Sequence, residues 1–433
     1  MNKHLFLILT GMILFAGCHR NEDTRTEEQK AMSYINKAIF EATYAYYLWY
    51  KEIPGIRNYS QQPETFFDGL LYKVKDRWSF IIDKGTFYMS FLQGNVYGAH
   101  GFDVINDASN NLRVAYVFPG TIAADSGIHR SWQVLKVNGQ IATYQNYQDL
   151  LGEPVPGDVD TFLFQNGTGQ VTMMLAKESF VSKTVLRKDT LHVGATVVGY
   201  IMFNEFRGTD SEAELDSAFA YLNDMGATEL ILDMRYNPGG MNETAHYLAN
   251  LIAGKFAAGE TFVKYVYSDK LTANNESVAI AANGNAINLP NKRIYILATA
   301  NSASCSEIMI NCLKPLMTVY TIGSTTHGKP VGMNVLELRY YDYMVAPISF
   351  SSYNKSNQGD YYSGIAPDCQ VTDDVSHELG DRNEWMLAQA LAHIQTGSFS
   401  AVLKSAPDQQ FIPQLKRSKP TWNLSINKII TIE

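Results

Sequence analysis

The chain has 433 residues, 46% of them hydrophobic and 12% aromatic, enough apolar material for a sizeable core and for two or three domains. Its formal charge of −8, with no Lys/Arg cluster or basic aromatic ladder, argues against nucleic acid as a partner. The nine histidines and four cysteines show no HExxH, CxxC or zinc spacing, so no metal, nucleotide or organic cofactor is expected.

The chain opens with "MNKHLFLILTGMILFAGC", a short basic start and an apolar run from Leu5 to Phe15, followed by polar "HRNEDTRTEEQK". The run is short for a bilayer span and reads as a secretory signal. Ala16-Gly17-Cys18 resembles the lipobox of bacterial lipoproteins, with Phe15 in place of the usual aliphatic residue. That resemblance implies lipidation at Cys18 and an exported, envelope-bound protein; an ordinary signal peptide or a plain hydrophobic terminus is the alternative. The remaining Cys305, Cys312 and Cys369 make no disulfide framework.

Residues 28 to 90 carry apolar and aromatic residues at helix-like spacing, as in "MSYINKAIFEATYAYYLWY" and "ETFFDGLLYKVKDRWSFI", which predicts a small helical domain packed on the rest. From about 92 the rhythm changes to short alternating strands punctuated by Gly and Pro, among them "YGAHGFDVI" and "VDTFLFQNGTGQVTMMLAK". "VFPGTIAADSGI" and "WQVLKVNG" resemble the PDZ pattern of strand, Pro-Gly turn, short helix and strand. PDZ domains take a peptide C-terminus as an added strand. The resemblance puts the carboxylate loop at Gly98, Ala99, His100, Gly101 and Phe102, with His100 at a place usually apolar. A rigid spacer or gate is the other reading of this unit.

From about 190 the pattern is α/β. "TVVGYIMFNEF" and "ELILDMR" are buried strands around the amphipathic helix "SEAELDSAFAYLNDMG"; the second strand runs into "YNPGGMNETAHYLANLIAG", a turn that opens a helix. "KRIYILATA" feeding "NSASCSEIMINCL" repeats this order. Helix N-termini at the carboxyl ends of such strands are where ligands bind. Ser304-Cys305-Ser306-Glu307 is also a capping box, and a serine there is more often a cap than a nucleophile.

Three blocks, "LILDMRYNPGG", "SASCSE" and "TTHGK", resemble in order the catalytic core of the carboxyl-terminal processing proteases, the serine peptidases of family S41 related to tail-specific protease. "VGYIMFNEF" and "SGIAPDCQV" match two further stretches, and the resemblance covers nearly all of residues 30 to 397. It implies an α/β (α+β multidomain) chain, with a ClpP/crotonase-like core, an inserted PDZ-like β domain and an N-terminal helical domain. The division is a signal peptide with lipobox (1–18), a linker and helical domain (19–90), the PDZ-like domain (91–188), the peptidase core (189–397) and a C-terminal tail (398–433), either a strap on the core or loose.

Family spacing assigns the roles. Ser304, 25 positions before Lys329, is the implied nucleophile and Lys329 its base, with an oxyanion hole from Gly239, Gly240 and Cys305 and support from Glu307, Thr326 and Met333. A lysine serves as base only when neutral, which requires burial or a nearby positive potential. Met333 stands where the family has an orienting glutamine, His327 is the aromatic before Gly328, and Cys305 replaces an alanine. His327 as base and Cys305 as thiol nucleophile are rival assignments. The expected activity is a serine endopeptidase on protein or peptide tails; the alternative is a weak or silent peptide-binding adaptor. An ester hydrolase is disfavoured, because no GxSxG elbow surrounds these serines.

Overall fold

The computed structural model describes residues 25–55, 57–400, 411–412 and 424–432. The signal-peptide and lipobox readings, Cys18 included, lie outside the described residues.

The first helix, Glu27–Tyr46, starts at a capping box in which Thr26 and Gln29 exchange side-chain to backbone hydrogen bonds of 3.1 and 3.0 Å. The helical expectation for residues 64 to 81 holds only for Pro63–Asp68. Beyond it, the buried Asp76 carboxylate accepts the N–H groups of Trp78 and Ser79 and the hydroxyls of Tyr47 and Ser79. This side-chain turn competes with a helix and launches the strand Phe80–Ile82, which pairs with Met344–Ala346 of the main body. Ile39, Phe66, Phe67 and Trp78 share one core cluster with Val331, Met333, Val335 and Ile348.

The β-rich insert is an antiparallel sheet in the order Phe102–Asn106, Leu112–Val117, Gln133–Val137, Val159–Asn166, Gly169–Ala176. Alternating inward residues, Phe102, Val104, Val114, Val134, Phe162 and Phe164, form its own core. Asn95–Ala99 and Glu178–Val181 make a separate ribbon where the chain enters and leaves the insert.

The main body has a six-stranded sheet in the order Val185–Val193, Thr196–Phe203, Glu229–Asp233, Arg293–Ala298, Thr318–Gly323, Cys369–Gln370, parallel after its first strand. Glu229–Asp233 is buried at every position, as expected of a strand covered on both faces. On one face lie the helices Thr209–Asp224, Asn242–Ala253 and Cys305–Leu313, backed by an eight-stranded sheet. On the other, the helix Trp385–Thr396 and one side of the insert join in a cluster that includes Ile105, Tyr116, Tyr200, Tyr236 and Met386.

A buried ionic network fixes the insert to this second face. Arg130 places Nη2 2.6 Å from Asp373 and donates to the Tyr236 hydroxyl at 2.6 Å and to the carbonyls of Ala115 and His377. Asp373 also meets Arg235 at 2.6 Å. Burial alone would raise the Asp373 carboxyl, but the two guanidinium groups hold it below the usual range.

The expected tail contains a strand of the main body. Leu424–Ile432 runs parallel to Gly239–Met241 on one side and to Val331–Leu338 on the other.

Candidate active site

Three neighbouring parallel strands, Glu229–Asp233, Arg293–Ala298 and Thr318–Gly323, release their loops at the same sheet end. The loops are bolted together. Thr299 Oγ1 donates to the Arg235 carbonyl at 2.5 Å, Ser302 Oγ to the Met234 carbonyl at 2.7 Å, and the Asn237 carbonyl accepts Ala303 N–H at 3.1 Å and Ser306 Oγ at 2.9 Å. His327 N–H reaches the Ser302 carbonyl at 3.1 Å.

These bonds sort the serines of the cluster. Ser302 and Ser306 hydroxyls are committed to backbone carbonyls, whereas the buried Ser304 Oγ faces the Glu307 N–H in capping-box fashion without a hydrogen bond. Ser304 sits at φ 59°, ψ −109°, where an L-residue is strained by roughly 1–3 kcal/mol. An ordinary capping serine is extended. The helix Cys305–Leu313 starts immediately after it, so its N-terminal N–H groups lie beside the hydroxyl.

Glu307 joins the serine block to the lysine block. Its Oε2 accepts both Ser304 N–H and Lys329 N–H at 2.8 Å, and its Oε1 accepts Gly328 N–H at 2.6 Å and Thr326 Oγ1 at 2.5 Å. The two backbone nitrogens are therefore no farther apart than two such bonds end to end. Thr326 Oγ1 in turn accepts Ile365 N–H at 2.8 Å. Gly328, at φ 92°, has room only for hydrogen: a Cβ would lie 2.5 Å from the Tyr362 carbonyl oxygen.

Lys329 is 1% exposed, and burial pushes its ammonium down to about 7. Asp76 and Glu307 pull the other way but do not offset burial. Met333 lies wholly buried in the core cluster with Val331, Val335 and Ile348.

Neither rival assignment fits. Cys305 Sγ is buried within 3.4 Å of the Gly240 carbonyl and 3.3 Å of Asn242 Oδ1, and burial pushes its thiol up to about 12. His327 Nε2 accepts Trp78 Nε1–H at 3.1 Å, and burial, aided by Arg77 and Lys329, holds the imidazole down at about 4.

The Gly239-Gly240 turn is buried beside the helix Cys305–Leu313. Gly239 N–H donates to Asn237 Oδ1 at 2.9 Å. Gly240 has a packing reason of its own, since a Cβ there would meet the Phe206 carbonyl oxygen at 2.0 Å.

The loop Gly98-Ala99-His100-Gly101-Phe102 is a turn between two strands of the insert. His100, 1% exposed, places Nε2 3.2 Å from Asp160 and its ring edge-on to Phe162. It is therefore an internal residue of the insert.

Several contributors escaped the sequence reading: Asp76 and Trp78 from the N-terminal segment, Asn237, and Ser425 of the last strand, whose Oγ donates to Asn242 Oδ1 at 2.6 Å. Only the alternation in "LSINKIITI" could have signalled that strand.

Two family models match the chain: "Peptidase family S41" over residues 197–371 and "Peptidase S41 N-terminal domain" over residues 34–80. A "Probable CtpA-like serine protease" of Staphylococcus epidermidis is 22% identical over 352 residues, covering 77% of this chain and 66% of that one. One of Staphylococcus aureus with the same description is 26% identical over 291 residues, covering 65% and 55%. The chain thus spans about two thirds or less of the length of these relatives. Among solved structures, one from Bacteroides fragilis NCTC 9343, assigned to the S41 proteases, superposes with a TM-score of 0.71 at 26% identity, covering 83% of this chain and 97% of that one. The photosystem II D1 C-terminal processing protease shares the fold, with a TM-score of 0.50 at 19% identity over 80% and 94% of the chains.

Two expectations follow from the buried pair. Glu307→Gln would turn an amide NH₂ or an uncharged oxygen toward donors that now share a carboxylate. Thermal unfolding should show a loss of about 3 kcal/mol, and an unchanged melting temperature would refute the bridging role. Lys329 titrates near 7 when folded and near 10.4 when unfolded, so the unfolded chain holds more protons between those values and stability rises with pH across that window. Lys329→Met should therefore stabilise by on the order of 3 kcal/mol at pH 6 and progressively less toward pH 10. A gain independent of pH would contradict the burial argument.

Proposed function

With its S41 core at residues 197–371 and S41 N-terminal domain at 34–80, the chain belongs to peptidase family S41, and we propose that it is a serine endopeptidase acting through Ser304 and Lys329. The observation that carries this reading is the buried Lys329, held beside the one uncommitted serine hydroxyl of the cluster by their shared contact with Glu307. A lysine near 7 is neutral in a large fraction of molecules at neutral pH, as a general base must be.

In this reading Ser304 Oγ attacks the peptide carbonyl carbon as its proton passes to Lys329 Nζ. The resulting oxyanion meets backbone N–H groups at Cys305 and at the glycine turn. At the turn, Gly239 N–H donates to Asn237 and Gly240 lies in the ladder with Leu424–Ile426, so the larger share of this proposed role falls to Cys305. Lys329 then gives its proton to the leaving amine as the C–N bond breaks. Water, losing a proton to the neutral lysine, releases the acyl group and restores the serine.

Ser304 and Lys329 are 0% and 1% exposed, so a peptide enters only when the surrounding wall opens. The β-rich insert, read as PDZ-like, is the proposed docking unit for substrate C-terminal tails. The leader ending at Cys18 supports export to the cell envelope and a lipid anchor there.

Cleavage of an unfolded protein with an apolar C-terminus should disappear in Ser304→Ala and in Lys329→Ala while both stay folded. In the wild type kcat/KM should rise as pH passes through about 7 and then level off, as Lys329 loses its proton. Undiminished cleavage by Ser304→Ala would sink the mechanism. Metabolic labelling with a radioactive fatty acid should mark the wild type and not Cys18→Ala; equal labelling of both would remove the anchor from Cys18.

A further inference from the structure

The strand Phe102–Asn106 ends the sheet of the insert, and its outer edge is taken by another part of the same chain. Phe411–Ile412 pairs antiparallel with it, Phe411 opposite Ile105 and Ile412 opposite Val104. This ladder is two residues long, and Pro413, which has no N–H to give, follows it at once. Each extended segment added to a sheet edge gains main-chain hydrogen bonds whatever its side chains, so the edge accepts peptide strands as a class.

The edge also lies at the junction with the main body. Val104 belongs to the core of the insert, whereas Ile105 belongs to the cluster containing Tyr200 and Leu297 of the six-stranded sheet and Tyr236 of the loop after Glu229–Asp233. Only residues 413–423 separate this contact from Leu424, where the strand that flanks both Gly239–Met241 and Val331–Leu338 begins. One covalent strap thus touches the edge of the insert and the strands carrying the glycine turn and following Lys329.

The PDZ-like reading already makes the edge of the strand after the Gly98–Phe102 loop a place for an added peptide strand; we propose that the chain's own Phe411–Ile412 segment occupies that edge, so that a peptide must displace this segment to bind. A tethered segment acts at an effective concentration on the order of millimolar, yet a two-residue ladder is weak, which makes the occupant a displaceable competitor and not a permanent strand. The proposal rests on the peptidase reading only in identifying the displacing peptide with substrate; the competition itself is a binding statement.

The test uses the full chain and a fluorescein-labelled synthetic peptide with the sequence of residues 405–418. Anisotropy titrations compare the wild type with the double variant Phe411→Pro, Ile412→Pro, which removes both backbone donors. The variant should bind the peptide about tenfold or more tightly than the wild type. A peptide with proline at the same two positions should not bind. Hydrogen exchange of the amides from Val104 to Asn106 should be slow in the wild type, fast in the variant, and slow again when the variant is saturated with peptide. Equal affinity of the two proteins, no binding by either, or equally fast exchange in both would overturn the proposal. Unchanged melting of the strand Leu424–Ile432, followed by exchange, controls for loss of the fold. If neither protein cuts any substrate while the tenfold difference stands, the peptidase reading fails and the occupied edge survives.

Discussion

The Glu307 carboxylate is the constraint around which this site is built. It is a buried carboxylate with four donors, drawn from the serine block and from the block that carries the lysine. Desolvation raises its carboxyl, and hydrogen bonds from Thr326 and from backbone amides lower it, so the ion is tolerable only while all its donors stay in place. Any slip of the loop around Gly328 against the helix Cys305–Leu313 would leave charge unsatisfied in a dry interior. Serine and lysine are thus held in register by the cost of disturbing a third residue.

The energetics of the pair run against folding and are carried by the surroundings. Ser304 keeps a strained backbone and an unbonded hydroxyl, and Lys329 is buried among apolar residues against its preference for water. Such local conflicts persist only where packing overdetermines them. Here the packing comes from all quarters of the chain: the N-terminal segment through Trp78 and Asp76, the glycine turn through Asn237, and the last strand through Ser425.

What was legible in the sequence is what depends on neighbours in the chain. The buried strands, the glycine turn, the serine block and its 25-residue interval to Lys329 are local patterns, and the structure brings these blocks together at one sheet end. Glu307 was visible as a cap partner, but its reach to Thr326, Gly328 and Lys329 was not, because no periodicity records contacts across some twenty residues. The same holds for Arg130, whose ionic partners lie more than two hundred positions away in Asp373 and more than a hundred in the Tyr236 hydroxyl. His100 stood out in the sequence only as a polar residue at a usually apolar place, and only the fold supplies Asp160 as its internal partner. The helical rhythm of residues 64 to 81 ends at Asp68, and at Asp76 a side chain offers the backbone a better bond than a further helical turn.

The closed wall around Lys329 has a chemical corollary. Burial lowers the proton affinity of this lysine, so that affinity is a property of the enclosure and not of the residue alone. Once solvent reaches it, the amine climbs back toward its aqueous value and takes up a proton. It sheds that proton again only when the water is expelled. In the proposed mechanism, a chain that fills the opened space restores the low proton affinity of the amine, whereas a small or ill-fitting guest leaves it wet and protonated, so selectivity is exerted on the lysine before any bond is touched.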